Sequence, residues 1–334
     1  MGTYKRKIKG WYIMKKFLTG VIGLLALATL AGCGNHKLSV GASTKTPSGM
    51  VAVIKGKTSK NAKISYKIDN QSKKAVKNTD GAYIIEVPAK TKQQTVVVTS
   101  QKDSDVITKK VTINKTKALG KYKTISASYN QAVIGMSLSK ADQKKAKDLA
   151  AAEKKAKASS STTTSAAKAK AAIAKLPASQ QKAALAKLQA QAKEMTALQK
   201  EGKEVQAAMA TAKKENKDKL LPTTLSNGVK NVITQHNYTV RANYQDKNLM
   251  GLTLIVPVKA MKQKDGQKDF GTVFALLSNE LGANYKSVMK QFEKLQKDAK
   301  NSSSTSTATN VIKSNGVKFA VGYSTTHLYI YITK

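Results

Sequence analysis

The stretch from Ser139 to Lys217 is dominated by Ala, Lys, Gln and Glu, which are strong helix formers with little bulk to bury. Such a block cannot supply a strand or a dense core. It divides the chain into a β-patterned segment, a helical segment and a mixed segment. Ser139-Lys140-Ala141-Asp142 opens it as a capping signal, a hydroxyl three residues ahead of an acid. The first helix is expected to run to about Ala158, and Ser159 to Ser165 (SSSTTTS) is a low-complexity break. A second helix covers about 166–176, and Pro177 suits the start of a third, from Ala178 to about Asn216. Leu185, Leu188, Met195, Leu198, Val205 and Met209 form a thin apolar stripe on that third helix. The stripe permits a helical hairpin, a protein partner bound along 178–216, or a solvated arm, because alanine buries little area.

Ahead of the block, residues 38–115 hold the runs MVAVIKG, KISYKI, AYIIEV, QTVVVTS and ITKKVTI. Each is short and rich in Val, Ile, Thr and Tyr. Between them stand turn signals: Pro47-Ser48-Gly49, Asp69-Asn70, Asp80-Gly81 and Asp103-Ser104. Strands of this length and spacing predict an all-β sandwich. The succession Gly56, Ile64-Ser65-Tyr66, Thr79-Asp80-Gly81-Ala82-Tyr83, Val96-Val97-Val98 and Val111-Thr112-Ile113 resembles immunoglobulin-like modules of bacterial surface proteins. The resemblance implies a spacer or binding module and carries no catalytic residue. Residues 116–138 read as one or two further strands or as a linker docked on the sandwich, with Tyr122, Ile125, Tyr129, Val133 and Ile134 as their apolar residues.

Residues 218–334 read as a second globular unit of type αββαββ, an antiparallel sheet with both helices on one face. Its expected elements are a helix over Thr223–Gln235, strands over Tyr238–Tyr244 and Leu249–Val258, and a polar loop over Lys262–Lys268. A long helix over Phe270–Lys300 and a closing hairpin of Val311–Tyr323 with Leu328–Thr333 follow. The expected fold class is therefore multi-domain α+β.

The beginning of the chain is of another kind. From Met14 it runs Lys15 and Lys16, then an apolar stretch from Phe17 to Thr29, then Leu30-Ala31-Gly32-Cys33. A basic end, a short apolar run and small residues before a cut form an export signal, and the run is short of the roughly 20 residues that span a bilayer. Translation from Met14 makes residues 1–13 an upstream extension; a long basic leader is the alternative. Leu30-Ala31-Gly32-Cys33 resembles the lipobox of bacterial lipoproteins. The resemblance implies cleavage between Gly32 and Cys33, a diacylglyceryl (and palmitate-type acyl) modification of Cys33, and residence on the outer face of the cell membrane. Residues 1–32 are then the signal peptide and 33–37 a lipidated tether. Cys33 is the single cysteine of the chain, so no internal disulfide competes for it.

Charge bears on partners. Six of the 59 basic residues and no acid lie in 1–32, which leaves 53 basic against 19 acidic side chains beyond them. The excess is spread over all three segments. A field of this sign draws a protein to anionic polymers, and outside a Gram-positive cell these are teichoic acids and lipid headgroups. Nucleic acid is disfavoured: export removes the chain from it, and Arg241 is the only arginine after residue 32. Arginine forks onto bases and phosphates, whereas lysine attracts diffusely.

Signals for catalysis are few. His36 lies in the tether, His236 at the end of the expected helix and His327 in the last hairpin turn. No HExxH or GxSxG spacing occurs, and no metal, cofactor or nucleophile is implied. Asp246, Asp265, Asp269 and Glu280 are the acids open to a wall-polymer hydrolase reading. A transporter's substrate-binding lipoprotein is a further alternative, against which stands the lack of βαβ alternation. The candidate binding face is aromatic: Tyr323, Tyr329 and Tyr331, with Tyr329 and Tyr331 sharing one face of a strand. Packing beneath the two helices is the competing role for these rings. Together these features predict a lipid-anchored binding or structural envelope protein, not an enzyme.

Overall fold

The computed structural model describes residues 36–159, 166–301 and 311–334. Eight strands come first: β1 (Leu38–Ser39), β2 (Thr44–Lys45), β3 (Val51–Thr58), β4 (Lys63–Ile68), β5 (Lys74–Val76), β6 (Ala82–Pro88), β7 (Gln94–Lys102) and β8 (Asp105–Ile113). They form two sheets, of order β1-β3-β6 and β2-β8-β7-β4-β5. All pairings are antiparallel except that of β2 with β8, which is parallel. The alternating residues Ile54, Ile85, Val87, Val96, Val98, Val111 and Ile113 close the core between the sheets. All five expected strands occur. The turn signals also act as read: Asp69, Asp80 and Asp103 take left-handed backbone conformations, which Asp tolerates better than most residues.

After β9 (Gly120–Lys121) the chain turns into α1 (Tyr122–Ser137), where strands or a linker had been expected. The buried residues Tyr122, Ile125, Tyr129 and Val133 are spaced by three and four, a helical period carried by residues of modest helix propensity. Composition argued for strand there, and periodicity prevailed.

The chain packs as two compact units, one formed by the chain up to Tyr129 with Leu221–Lys334, the other by Asn130–Leu220. In the second unit, α1 continues into α2 (Lys140–Ser159), α3 (Ala166–Ala174) and α4 (Ala178–Glu215). Ser139 caps α2: its Oγ accepts from Asp142 N at 3.1 Å and donates to Asp142 Oδ2 at 2.7 Å. A small cluster of Ile134, Leu138 and Ala212, with Ala208, Met209 and Leu220, forms its core. Along α4 only Val205 and Ala212 are buried, while Leu185 and Met195 are exposed. The expected stripe is thus used only near its C-terminal end.

The last segment does not follow αββαββ. Its order is β10 (Gly228–Thr234), β11 (Thr239–Gln245), β12 (Asn248–Pro257), α5 (Lys264–Glu280), α6 (Tyr285–Asn301), β13 (Val311–Ser314), β14 (Val317–Tyr323) and β15 (His327–Thr333). Two three-stranded meanders meet through their last strands, giving the sheet order β10-β11-β12-β15-β14-β13, with β9 also pairing with β12.

The expected helix over 223–235 is the strand β10, whose pairing shifts register between Asn231 and Ile233. A bulge there sets Val232 and Ile233 side by side and breaks the period of two. The expected loop at 262–268 is a short 3-10 turn, Ala260–Lys262, followed by the first turn of α5. The expected long helix is divided at Gly282, whose φ of +79° ends α5. Ala283 N bonds to Ser278 O and Gly282 N to Asn279 O, both at 2.9 Å, and Asn284 Oδ1 then caps α6 through Ser287 N. The expected strand 311–323 is itself a hairpin, folded at Asn315-Gly316 with both residues at positive φ.

Residues 38–115 and 218–334 had been expected as separate domains, yet the sandwich and the C-terminal sheet share one unit. Asn243, fully buried, joins them: its Nδ2 donates to Met50 O at 2.9 Å and to Ala89 O at 3.0 Å.

Candidate functional site

The last hairpin places the three candidate tyrosines. Phe319 pairs with Ile332, and Val321 with Ile330. Directly opposed residues share a face, and this face is covered by α5, whose Phe274 ring lies 5.7 Å from Phe319. Tyr329 and Tyr331 therefore stand on the opposite face, away from the helices. Their rings are parallel within 11° and 6.3 Å apart, and the His327 ring lies 6.1 Å from Tyr329. Tyr323 pairs with Leu328 and alternates onto the helix side, 57% exposed at the strand end. The expected three-tyrosine face is thus a two-tyrosine face.

Neighbouring residues divide the work of this pair. A Cβ on Gly322 would come 3.2 Å from the Tyr331 ring, and one on Gly49, in the sandwich, 3.4 Å from it. Tyr331 is therefore packed between sheet and sandwich, and burial raises its phenol pKa, with Tyr329 adding and Arg241 opposing. Across the sheet, Tyr331 pairs with Thr253 and Thr253 with Arg241. Arg241 Nε donates to Asn231 Oδ1 at 2.8 Å. Thr253 is buried, and its hydroxyl has no protein partner. Tyr329, half-buried like Tyr331, stands beside Gly322 and Ile255.

A polar chain that the sequence did not announce lies at one end of the sandwich. His36 Nδ1 is 3.1 Å from Asp105 Oδ2, and His36 Nε2 is 2.6 Å from Ser100 Oγ. Ser100 Oγ is in turn 2.7 Å from Thr58 Oγ1. The connectivity Asp–His–Ser is that of a hydrolase triad, but Ser100 is fully buried and no acyl group can reach it. The His36 side chain is itself 2% exposed. This network plugs the sandwich core and joins its two sheets, since Thr58 ends β3 and Ser100 belongs to β7. His36, expected in a free tether, is part of the fold; nothing short of the partners brought in by β3, β7 and β8 would have shown it.

The remaining histidine and acids stay apart from any site. His236 lies in the β10–β11 turn, since no helix precedes it. Asp246 accepts from Asn227 Nδ2 at 3.0 Å, and Asp269 from Asn237 Nδ2 at 2.8 Å. Asp265 stands in the first turn of α5, with Glu280 at its last residue. Gly32 and Cys33 lie outside the described residues.

No known protein family matches this sequence, and no curated protein matches it. Two shallow concavities lie among the described residues. One of about 380 Å³ at the α5–α6 turn is lined by Asn279, Asn284, Lys286 and Asn315 among others. Another of about 310 Å³ in the helical unit is lined by Ala132, Met136, Leu138 and Ala146 among others. Among the described residues no group of three or more His, Cys, Asp or Glu side chains is arranged for a metal ion, and no helix is long and apolar enough to cross a membrane.

Proposed function

We propose that this chain is a lipoprotein of a Gram-positive bacterium, cut before Cys33 and held on the outer membrane face by lipid on that residue. It acts as a binding or structural component of the envelope, drawn to anionic wall polymers by lysine charge. The observation that carries the proposal is Leu30-Ala31-Gly32-Cys33 behind a basic and apolar leader, with the lone cysteine of the chain at the cleavage point. Two acyl chains, at about 0.8 kcal/mol per buried CH₂, suffice for stable anchoring.

The first module is immunoglobulin-like in this proposal. Support comes from the division of the opening strand between the two sheets as β1 and β2, and from the parallel pairing of β2 with β8. Lysine presents a hydrated point charge, so many weak contacts add up without a dominant site. Tyr329 supplies an aromatic contact on the face away from the helices.

Cys33→Ala is expected to move the protein from the membrane fraction to unprocessed precursor or medium; a variant that stays membrane-bound at mature size refutes the anchor. The lipid-free chain is expected to bind anionic wall polymer with an affinity that falls as salt rises, because exposed charges more than about 8 Å apart are screened at physiological ionic strength. Salt-insensitive binding that Tyr329→Ala abolishes would instead establish a specific aromatic site.

A further inference from the structure

The geometry points to the His36 end of the sandwich as a membrane-facing surface, seated on the anionic lipid headgroups in which the protein's own anchor is embedded. The inference rests on lipidation of Cys33 and adds an orientation to it. Only Gly34 and Asn35 separate Cys33 from His36. Three Cα–Cα steps of 3.8 Å span at most about 11 Å. His36 is not free to move away from the sandwich, because its buried ring is held by Asp105 and by Ser100, which is bonded in turn to Thr58 of the other sheet. The covalent limit therefore draws this end of the fold to within about one Debye length of the headgroups.

The residues at that end suit an anionic surface. Leu38 pairs with Thr58, Lys63 with Gln101, and Lys102 with Asp105, so β1, β3, β4, β7 and β8 all start or finish there. Asn78 Nδ2 donates to the carbonyls of Ser59, Lys60 and Ala62, which brings the segment before β6 to the same end. Lys37, Lys57, Lys60, Lys63, Lys77 and Lys102 thus gather around Asp80, Asp103 and Asp105, two cations for each acid. The far end of the sandwich is about 25 Å away along β3, at about 3.3 Å per residue. There Asn243 bonds Met50 and Ala89, so the C-terminal sheet with Tyr329 is carried on the side away from the bilayer.

The test uses residues 33–334 coupled through the lone thiol to a maleimide lipid in vesicles containing phosphatidylglycerol. Flotation reports attachment, and lysine acetylation read by mass spectrometry reports orientation. The expected result is at least threefold slower acetylation of Lys37, Lys60 and Lys102 than in the uncoupled chain, with Lys92 and Lys115 unchanged. Inserting a twenty-residue Gly/Ser linker between Asn35 and His36 leaves the sandwich intact and is expected to remove most of that protection. His36→Ala is expected to do the same if it folds. Floating vesicles with no protection, or with equal protection at both ends, overturn the inference. Because the lipid is attached chemically, this outcome is independent of whether the cell lipidates Cys33, which the mass of the membrane-purified protein decides.

Discussion

At the residue scale, single contacts show why particular side chains are where they are. Tyr83 crosses β3 at Gly56, and its hydroxyl donates to Ser39 O at 2.6 Å, fastening β1 to the sheet. A Cβ on Gly56 would fall 2.2 Å from the Tyr83 ring and from Ser39 O. Gly56→Ala is therefore expected to destabilise the protein by at least about 1–3 kcal/mol, the usual cost of overpacking. Tyr83→Phe keeps the ring and loses one hydrogen bond, worth about 1 kcal/mol. Urea unfolding should rank the variants in that order; a Gly56→Ala variant as stable as the parent would disprove the close approach. Gly56 and Tyr83 both stand out in the sequence as parts of one β pattern. Their contact does not, because it needs β3 and β6 in register.

At the scale of elements, positive φ separates turns that suit their residues from turns that do not. The β11–β12 hairpin turns at Asp246-Lys247, with φ of 51° and 68°. Both values belong to a primed turn, for which Gly is preferred at the second position. A lysine held there bears a strain of about 1 kcal/mol. Gly282 is the converse: its φ is +79°, and a Cβ would meet nothing within 4 Å. Lys247→Gly is expected to raise stability by about 0.5–1 kcal/mol and Gly282→Ala to lower it by about 1 kcal/mol, purely through the backbone. Opposite shifts of the chemical-denaturation midpoint at unchanged slope check the pair. If Gly282→Ala proves neutral, the helix end is set by something other than this glycine. Elements were legible where one period dominated, as in β3 and β6, or where helix-forming composition did, as in α4. They were misread where a bulge disturbed the period, in β10, or where strand-type residues carried a helical one, in α1.

At the scale of the whole molecule, buried phenols tie stability to pH. Burial pushes Tyr83 up to about 12. Burial, with Asp269 adding, pushes Tyr238 up to about 12. Tyr122 and Tyr129 are raised as well, again chiefly by burial. A phenol whose folded pKa lies above its unfolded value near 10 favours folding only while neutral. Its contribution is complete below pH 10 and is lost as pH rises through 12, at about 1.4 kcal/mol per unit of difference. Tyr83 belongs to the sandwich and Tyr238 to the C-terminal sheet, which Asn243 joins. Both parts are therefore expected to unfold together between pH 10 and 12, with tyrosinate absorbance rising as circular dichroism falls. Full titration near pH 10 with the fold intact would contradict the burial of these rings.

By itself the sequence determined what is local: the charge, the Asp-marked turns of the sandwich, the Ala/Lys helices with the Ser139 cap of α2, and the alternation that sets Tyr329 beside Tyr331 on one face. Each follows from neighbours a few residues apart, where propensity, capping and period act directly. Tertiary structure alone decided the rest. It set the tyrosine pair on the face away from the helices, because the partners of β15 orient its pleat. It joined sandwich and sheet through Asn243, whose acceptors lie 193 and 154 residues away. It drew His36 out of the expected tether and into the core, because Ser100 and Asp105 reach it only when both sheets have formed. Such contacts depend on distant partners meeting in one register, and no local pattern encodes that meeting.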